Sequence, residues 1–498
     1  MKPDATKENF TYGYLRAYNG ELDLGNVNFS SVPQGAFFDC KMTSVTLPDG
    51  ITSIGENAFG ACSNLEHVNS TVANDTLPSQ LQSVGMQAFQ QCTSLTKIII
   101  PNLQNGEAIG LATAMFYGCT SLCEVEFGDN IKFIPADAFD SCGTVGDGMK
   151  IQFGNGLVNI MEKAFIGSKQ TGIIDLSQCS ELSNIGASAF KNVNNLTTVK
   201  LPEKTAGLRI GSEAFACPNE DKAPFLKTMG AGANPQADQI ILPEYVTELG
   251  SGCFYGNTAV TSVQISSKIA YIGEYTFDGC KSLENVTFTG NQSAVTSIGD
   301  CAFRNTLTDA SFLQYLTKLK VIGTQHIDES VEKEHNDSKN KGRKIASLEL
   351  GGQGSVVDDA GQRQNNKKDK LVCGSEVFTN CVRIKNVVLP VSVEEVGSRA
   401  FYFDDSTPSN IETITWLSDN TSNAKRTIYS EAFRGNQKMT SLILPVNAKE
   451  LEIQAYAFCG DKSLTKLSED GGNILPQSLQ SIGWGAFYAC SSLKNITI

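Results

Sequence analysis

The chain has 498 residues, 40 lysines and arginines against 53 aspartates and glutamates, and a formal net charge of -13. A hydrophobic share of 41% supplies a core along the whole length and excludes wholesale disorder, while no run reaches the roughly 18 apolar residues of a membrane helix. The acidic balance argues against nucleic acid, whose phosphates call for a basic face, and three histidines, His67, His326 and His335, leave little for imidazole catalysis or zinc.

Residues 1–31 read as an N-terminal cap and half-repeat, with Leu22 and Leu24 leading into Val32-Pro33-Gln34-Gly35-Ala36-Phe37. Met1-Lys2-Pro3-Asp4 runs into polar sequence without the apolar stretch of a secretory leader. That start suits a cytoplasmic protein or a mature fragment whose leader has been removed. At the other end Leu493–Ile498 stops on a strand with no polar cap, which suggests truncation.

Residues 32–498 repeat themselves. Ile54-Gly55-Glu56-Asn57-Ala58-Phe59, Cys62 and Leu65 recur as Val84-Gly85-Met86-Gln87-Ala88-Phe89, Cys92 and Leu95, and last as Ile482-Gly483-Trp484-Gly485-Ala486-Phe487, Cys490 and Leu493. The Phe position can be followed from Phe37 to Phe487, mostly at steps of 22 to 32 residues. After each Leu the apolar residues alternate, as in Ile98-Ile99-Ile100-Pro101, which reads as a short strand with one face inward and a proline that ends it. Gly dominates four residues before the Phe, but Pro33 and Pro135 share the position. A left-handed backbone is therefore not compulsory there, and a brief helical or 3₁₀ turn carrying Ala-Phe is expected. Two interruptions stand out. Residues 218–239, rich in Gly, Ala and Pro, read as an extended loop. Residues 325–370 hold polar and basic runs around one strand-like stretch, Ile345–Leu350. Just before and within the second, Val321-Ile322-Gly323 and His326-Ile327 read as a degenerate repeat with Ile327 in the Phe position.

The pattern I-G-x-x-A-F-x-x-C-x-x-L-x-x-[IV]-x-[IL]-P resembles the BspA-like, or Treponema pallidum-type, leucine-rich repeat and covers nearly the whole chain. The resemblance implies a leucine-rich-repeat solenoid, a right-handed curved superhelix of short parallel β-strands with turns and short helical or 3₁₀ segments, in about 16–17 repeats. It also implies a secreted or surface-anchored bacterial protein, several relatives being adhesins for host matrix proteins or other bacteria. It brings no catalytic motif.

Cys40, Cys62, Cys92, Cys119, Cys142, Cys280, Cys381 and Cys490 all fall three residues after the Phe, where Asn257, Asn436 and Asp461 also occur. One shared repeat position reads as a ladder of buried reduced thiols rather than a disulfide framework. Cys119-x-x-x-Cys123 lacks a second ligand pair, so no metal and no cofactor are expected.

In a solenoid the strand side chains that point away from the core form a continuous face. The candidate partner-binding positions on it are Ile99, Glu126, Lys200, Gln264, Val388, Thr415 and Ile443, while Trp416 takes an inward position. Ordinary β-propensity on an exposed strand is the plainer reading of the three aliphatic residues, and contact with a partner the functional one. G-x-S-x-G, Walker and H-E-x-x-H patterns are absent. The expected function is thus a non-enzymatic protein-binding solenoid, monomeric, at the surface of a host-associated bacterium. The alternatives are an intracellular scaffold and, more weakly, a glycan-handling enzyme with its site in an insertion.

Overall fold

The computed structural model describes residues 17–102, 110–193, 195–218, 226–290, 293–323, 375–404, 407–417, 423–468 and 473–497. Consecutive repeats stack as coils of one parallel β-solenoid, each strand pairing with its counterparts in the coils before and after. The coil around Phe59 shows the plan. A four-residue strand, Ser44–Leu47, is followed by a two-residue strand, Ser53–Ile54, then Gly55, the turns that carry Phe59, and the next long strand, His67–Ser70.

The long strands alternate outward and inward as the sequence pattern requires, with Val45 and Leu47, or Ile98 and Ile100, fully buried. The two-residue strands form a second parallel ladder, for example Ser31–Val32 with Ser53–Ile54, Ser83–Val84 and Gly110–Leu111. Between the ladders the phenylalanines stack face to face. Phe37, Phe59, Phe89 and Phe116 are 5.2–5.3 Å apart, and the stack continues through Phe277 and Phe378 to Phe487. Spacings of this size suit offset aromatic stacking, and each buried ring contributes roughly 1.5–3 kcal/mol.

The Ala-Phe segment, expected as a brief helical or 3₁₀ turn, is a run of turns with bonds three residues back at every second residue. Its N–H groups alternate in purpose. Ala58, Gly60 and Cys62 donate to the carbonyls of Gly55, Asn57 and Phe59 three residues back, while Asn57, Phe59 and Ala61 donate at 2.8–3.0 Å to Met86, Ala88 and Gln90 of the next coil. Donating alternately within and between coils requires a left-handed residue two before the Phe, as at Asn57 (φ 53°), Lys163 (φ 55°), Tyr275 (φ 55°) and Arg399 (φ 56°). The glycine four before the Phe has a different cause. A Cβ on Gly85 would lie 2.4 Å from the Glu56 nitrogen and 2.7 Å from the Gly55 carbonyl carbon, so close approach of two backbones, not φ, selects it.

Both interruptions differ from expectation. Within the first, Thr228–Ala231 is a strand that pairs with Thr198–Leu201 and with Ile240–Ile241, because its backbone completes the ladder despite the flanking glycines and prolines. In the second, Val321–Ile322 pairs with Ser297–Ile298 and Glu395–Val396, but the coil it starts is completed by Ser375 to Phe378. The Phe303 N–H donates to the Val377 carbonyl, and the Phe303 and Phe378 rings stack at 5.5 Å. Val377 and Phe378 thus fill the positions assigned to His326 and Ile327, since Phe378 continues the ring stack. Ile327 and the strand-like stretch Ile345–Leu350 lie outside the described residues. The 3₁₀ helix Ser311–Tyr315 stands where the coil of Phe303 would place its long strand.

Candidate functional site

The long-strand face is built by register. Ile99 lies directly opposite Glu126, and Lys97 one row away bridges Glu126 at 2.9 Å and Glu124 at 3.2 Å. Those two carboxylates, Glu126 first, raise the pKa of Lys97 and hold it charged. Farther along, Lys200 opposes Asp175 at 3.2 Å. Burial alone would raise the pKa of Asp175, but hydrogen bonds from Ser177 and Lys200 outweigh it and keep the carboxylate ionised. Gln264 stands between Ile241 and Thr287. Val388, Thr415 and Ile443 form one row across three adjacent strands, next to Thr413, which donates to Asn386 at 2.7 Å.

The seven sequence candidates therefore fall into separate stretches of one face and do not converge on a point. Ile443 is only 9% exposed and offers little surface, whereas Val388 and Thr415 are half-buried. Trp416 is buried as expected, with the Arg426 guanidinium 5.5 Å above its ring and donating to the carbonyls of Val393 and Val391.

The cysteine position proves to be a backbone latch. Sγ of Cys62, Cys92, Cys119 and Cys142 donates at 3.0–3.2 Å to the carbonyls of Phe37, Phe59, Phe89 and Phe116, one coil back. Asn257 Nδ2 makes the same bond to Phe215 at 2.7 Å, and Asn436 Nδ2 to Phe401 at 3.1 Å. All cysteines among the described residues are free thiols. Burial pushes the Cys62 and Cys381 thiols up to about 12, which opposes formation of the reactive thiolate. His67 is a surface residue hydrogen-bonded to Asp75 at 2.8 Å. Among the described residues no three His, Cys, Asp or Glu side chains gather as a metal site, and no helix is long and apolar enough to cross a membrane.

Sequence reading missed a run of alternating charges on the Ala-Phe turns. Arg304 bridges Asp278 at 2.6 Å and Glu376 at 3.2 Å, Arg399 links Glu376 to Glu431, and Arg434 also pairs with Glu431. Arg304, Arg399 and Arg434 lie 5.3–6.0 Å over Tyr275, Tyr402 and Tyr456. Burial raises the Asp278 pKa against the pull of Arg304; at Glu431 burial is outweighed by Arg399 and Arg434, and the pKa falls. Tabulating the residues two before and one after each Phe would have exposed the run. Its charges neutralise one another, so it ties coils together and presents no reactive group.

The profile described as BspA type Leucine rich repeat region matches residues 30–147, 111–229, 233–331, 371–468 and 453–498. A leucine-rich repeat protein from Bacteroides ovatus ATCC 8483 is 20% identical, with 91% of this chain and 86% of that chain covered and a TM-score of 0.46. A leucine rich cell surface protein from Faecalibacterium prausnitzii A2-165 is 18% identical, with 81% and 89% covered and a TM-score of 0.39. The T. pallidum leucine rich repeat protein is 18% identical, with 55% and 86% covered and a TM-score of 0.25. No curated protein matches the sequence.

Proposed function

We propose, since this chain belongs to the BspA-type leucine-rich repeat family, that it is a non-enzymatic solenoid that presents its long-strand face to a protein partner. The cell surface of a host-associated bacterium is the setting this family suggests, and adhesion to a matrix or bacterial surface protein is the finer reading. One observation supports it above the others: outward side chains stand in register across neighbouring strands, so that Val388 and Thr415 form one continuous row. A continuous face of this kind is what extended recognition by repeat proteins uses. The ion pairs of Lys97 with Glu126 and of Lys200 with Asp175 lie on the same face in other stretches.

Capture from host matrix and bacterial surface fractions tests the reading. The full chain is expected to retain a specific protein, and the variant Ile99→Glu/Val388→Glu/Thr415→Lys to lose it while unfolding at the parent temperature. Undiminished capture by that variant would remove the strand face from the proposal. Ile443 is left unchanged because its burial would confuse stability with binding.

A further inference from the structure

Over the first five coils the surface between the Ala-Phe turns and the long strands sinks into a trough of about 470 Å³, within the range of small-ligand sites (about 300–1,000 Å³). The strand face and the charge run both lie elsewhere. We propose that this trough binds a neutral oligosaccharide laid along the stacking axis.

Its floor comes from the position two after each Phe, all left-handed, where Ala61 (φ 59°) and Gly118 (φ 71°) offer almost no side chain and Asp39, Gln91 and Ser141 carry polar ones. Its wall comes from the position four after the Phe, where Ser63, Thr93 and Thr120 place one hydroxyl per coil. Gln91 adds an amide, and Tyr117 an aromatic ring with a phenolic hydroxyl. The only charged groups lining it are Asp39 and Lys41, which neutralise each other at 2.9 Å. In a chain of net charge -13, a lining of hydroxyls, an amide, one ring and one closed ion pair matches an uncharged polyhydroxylated ligand.

A peptide fits poorly for two reasons. Strand addition needs unpaired backbone groups, yet the N–H groups of Asp39, Ala61, Gln91, Gly118 and Ser141 already donate to the next coil at 2.6–2.9 Å. The lining also repeats once per coil, and the stacked rings of these coils are 5.2–5.3 Å apart. An extended peptide advances about 3.3 Å per residue and falls out of step with that repeat. A pyranose chain advances by nearly one coil per sugar, so each ring meets the same pair of positions. The Tyr117 ring then offers an apolar surface to the C–H face of one sugar.

The test is ligand-observed saturation-transfer NMR and titration calorimetry on the full chain, using cellohexaose, maltohexaose, xylohexaose and chitohexaose, with a sialylated and a sulfated oligosaccharide as charged probes. At least one neutral hexaose should bind, and Tyr117→Ala should weaken it by about tenfold. Thr93→Arg/Thr120→Arg, which fills the trough from half-buried positions on its wall, should abolish it. Ser63→Lys provides an independent block should the double variant lose its fold, and Val388→Glu on the strand face should leave sugar binding unchanged. No transfer to any neutral hexaose at millimolar concentration, transfer to charged probes alone, or binding retained in the folded blocking variants would each overturn the proposal. The strand-face reading stands or falls separately, since its capture experiment uses other residues.

Discussion

Asp461 sits in the latch position that cysteine or asparagine fills elsewhere, and it fits that position badly. It is fully buried, its Oδ1 accepts the Asn436 N–H at 2.8 Å, and its Oδ2 has no hydrogen-bond partner. Burial raises its pKa well above the ordinary carboxylate value, the Asn436 N–H opposing only in part. Asp461→Asn would supply the missing donor: in the same position Asn257 Nδ2 donates to the Phe215 and Phe254 carbonyls at 2.7 and 3.0 Å. Relieving an unsatisfied buried oxygen is worth about 1–3 kcal/mol. The sign of the pH dependence follows from linkage. A carboxyl whose folded pKa exceeds its unfolded value of about 3.9 contributes its full stability below that pH and loses it as pH rises toward the folded pKa, at about 1.4 kcal/mol per unit. The advantage of the asparagine variant should therefore be small near pH 4 and grow toward pH 7. Both tryptophans, Trp416 and Trp484, lie in the C-terminal coils around Asp461, so urea unfolding followed by tryptophan fluorescence reads the affected region even if the array does not melt as one unit. An asparagine variant less stable than the parent at pH 7, or an advantage equal at both pH values, would refute the reasoning.

Two further perturbations test the packing. Phe277 stacks between Phe254 at 5.6 Å and Phe303 at 5.4 Å, and Phe277→Ala should cost about 3–5 kcal/mol in chemical denaturation; unfolding indistinguishable from the parent would remove the ring stack as the organising core. Gly85→Ala should cost about 1–3 kcal/mol because its Cβ meets rigid backbone of the previous coil, whereas Gly50→Ala, with nothing within 4 Å of the new atom, should stay within about 0.5 kcal/mol; equal effects at the two sites would refute the close-approach argument.

The ring stack and the long strands were legible because each depends on residue type: a Phe at a steady interval and apolar residues alternating with polar ones. The short strands were not, since two residues such as Ser53–Ile54 carry no period. Nor was the left-handed turn, because Lys163, Tyr275 and Arg399 share with Asn57 a conformation that, of the four, only asparagine favours; hydrogen bonds to the next coil impose it. Thr228–Ala231 was hidden for the same reason, its strand being made by neighbours rather than by propensity. The outward strand positions could be named in advance, but their grouping into Ile99 with Glu126 and Val388 with Thr415 needed the register. The trough has no motif at all: it arises where small residues and hydroxyls repeat at two columns of the coil.

The misplaced repeat at residues 321–327 shows why such arrays accept long insertions. A coil touches only its neighbours, so extra chain disturbs nothing if it leaves and re-enters at adjacent points. Gly323 and Ser375 are such points: a Cβ on Gly323 would overlap the Ser375 side chain, and the ladder bonds from Cys301 to Ser375, Phe303 to Val377 and Phe378 to Ala400 are all present. The Cys381 latch reaches the Phe303 carbonyl at 3.0 Å as though the intervening residues were absent. The loop-closure cost of such an excursion grows only with the logarithm of its length, about 0.6 kcal/mol per doubling. What the excursion removes is the covalent continuity that holds the Ala-Phe turn to its short strand, and the charge run crosses that seam. Arg304 in the coil before and Arg399 in the coil after both reach Glu376, the second residue after re-entry. Buried ion pairs add little net stability over apolar packing, but they resist rearrangement because breaking one strands a charge. At this seam Glu376 is paired from the coil before and from the coil after, so a slip of register on re-entry would break both contacts.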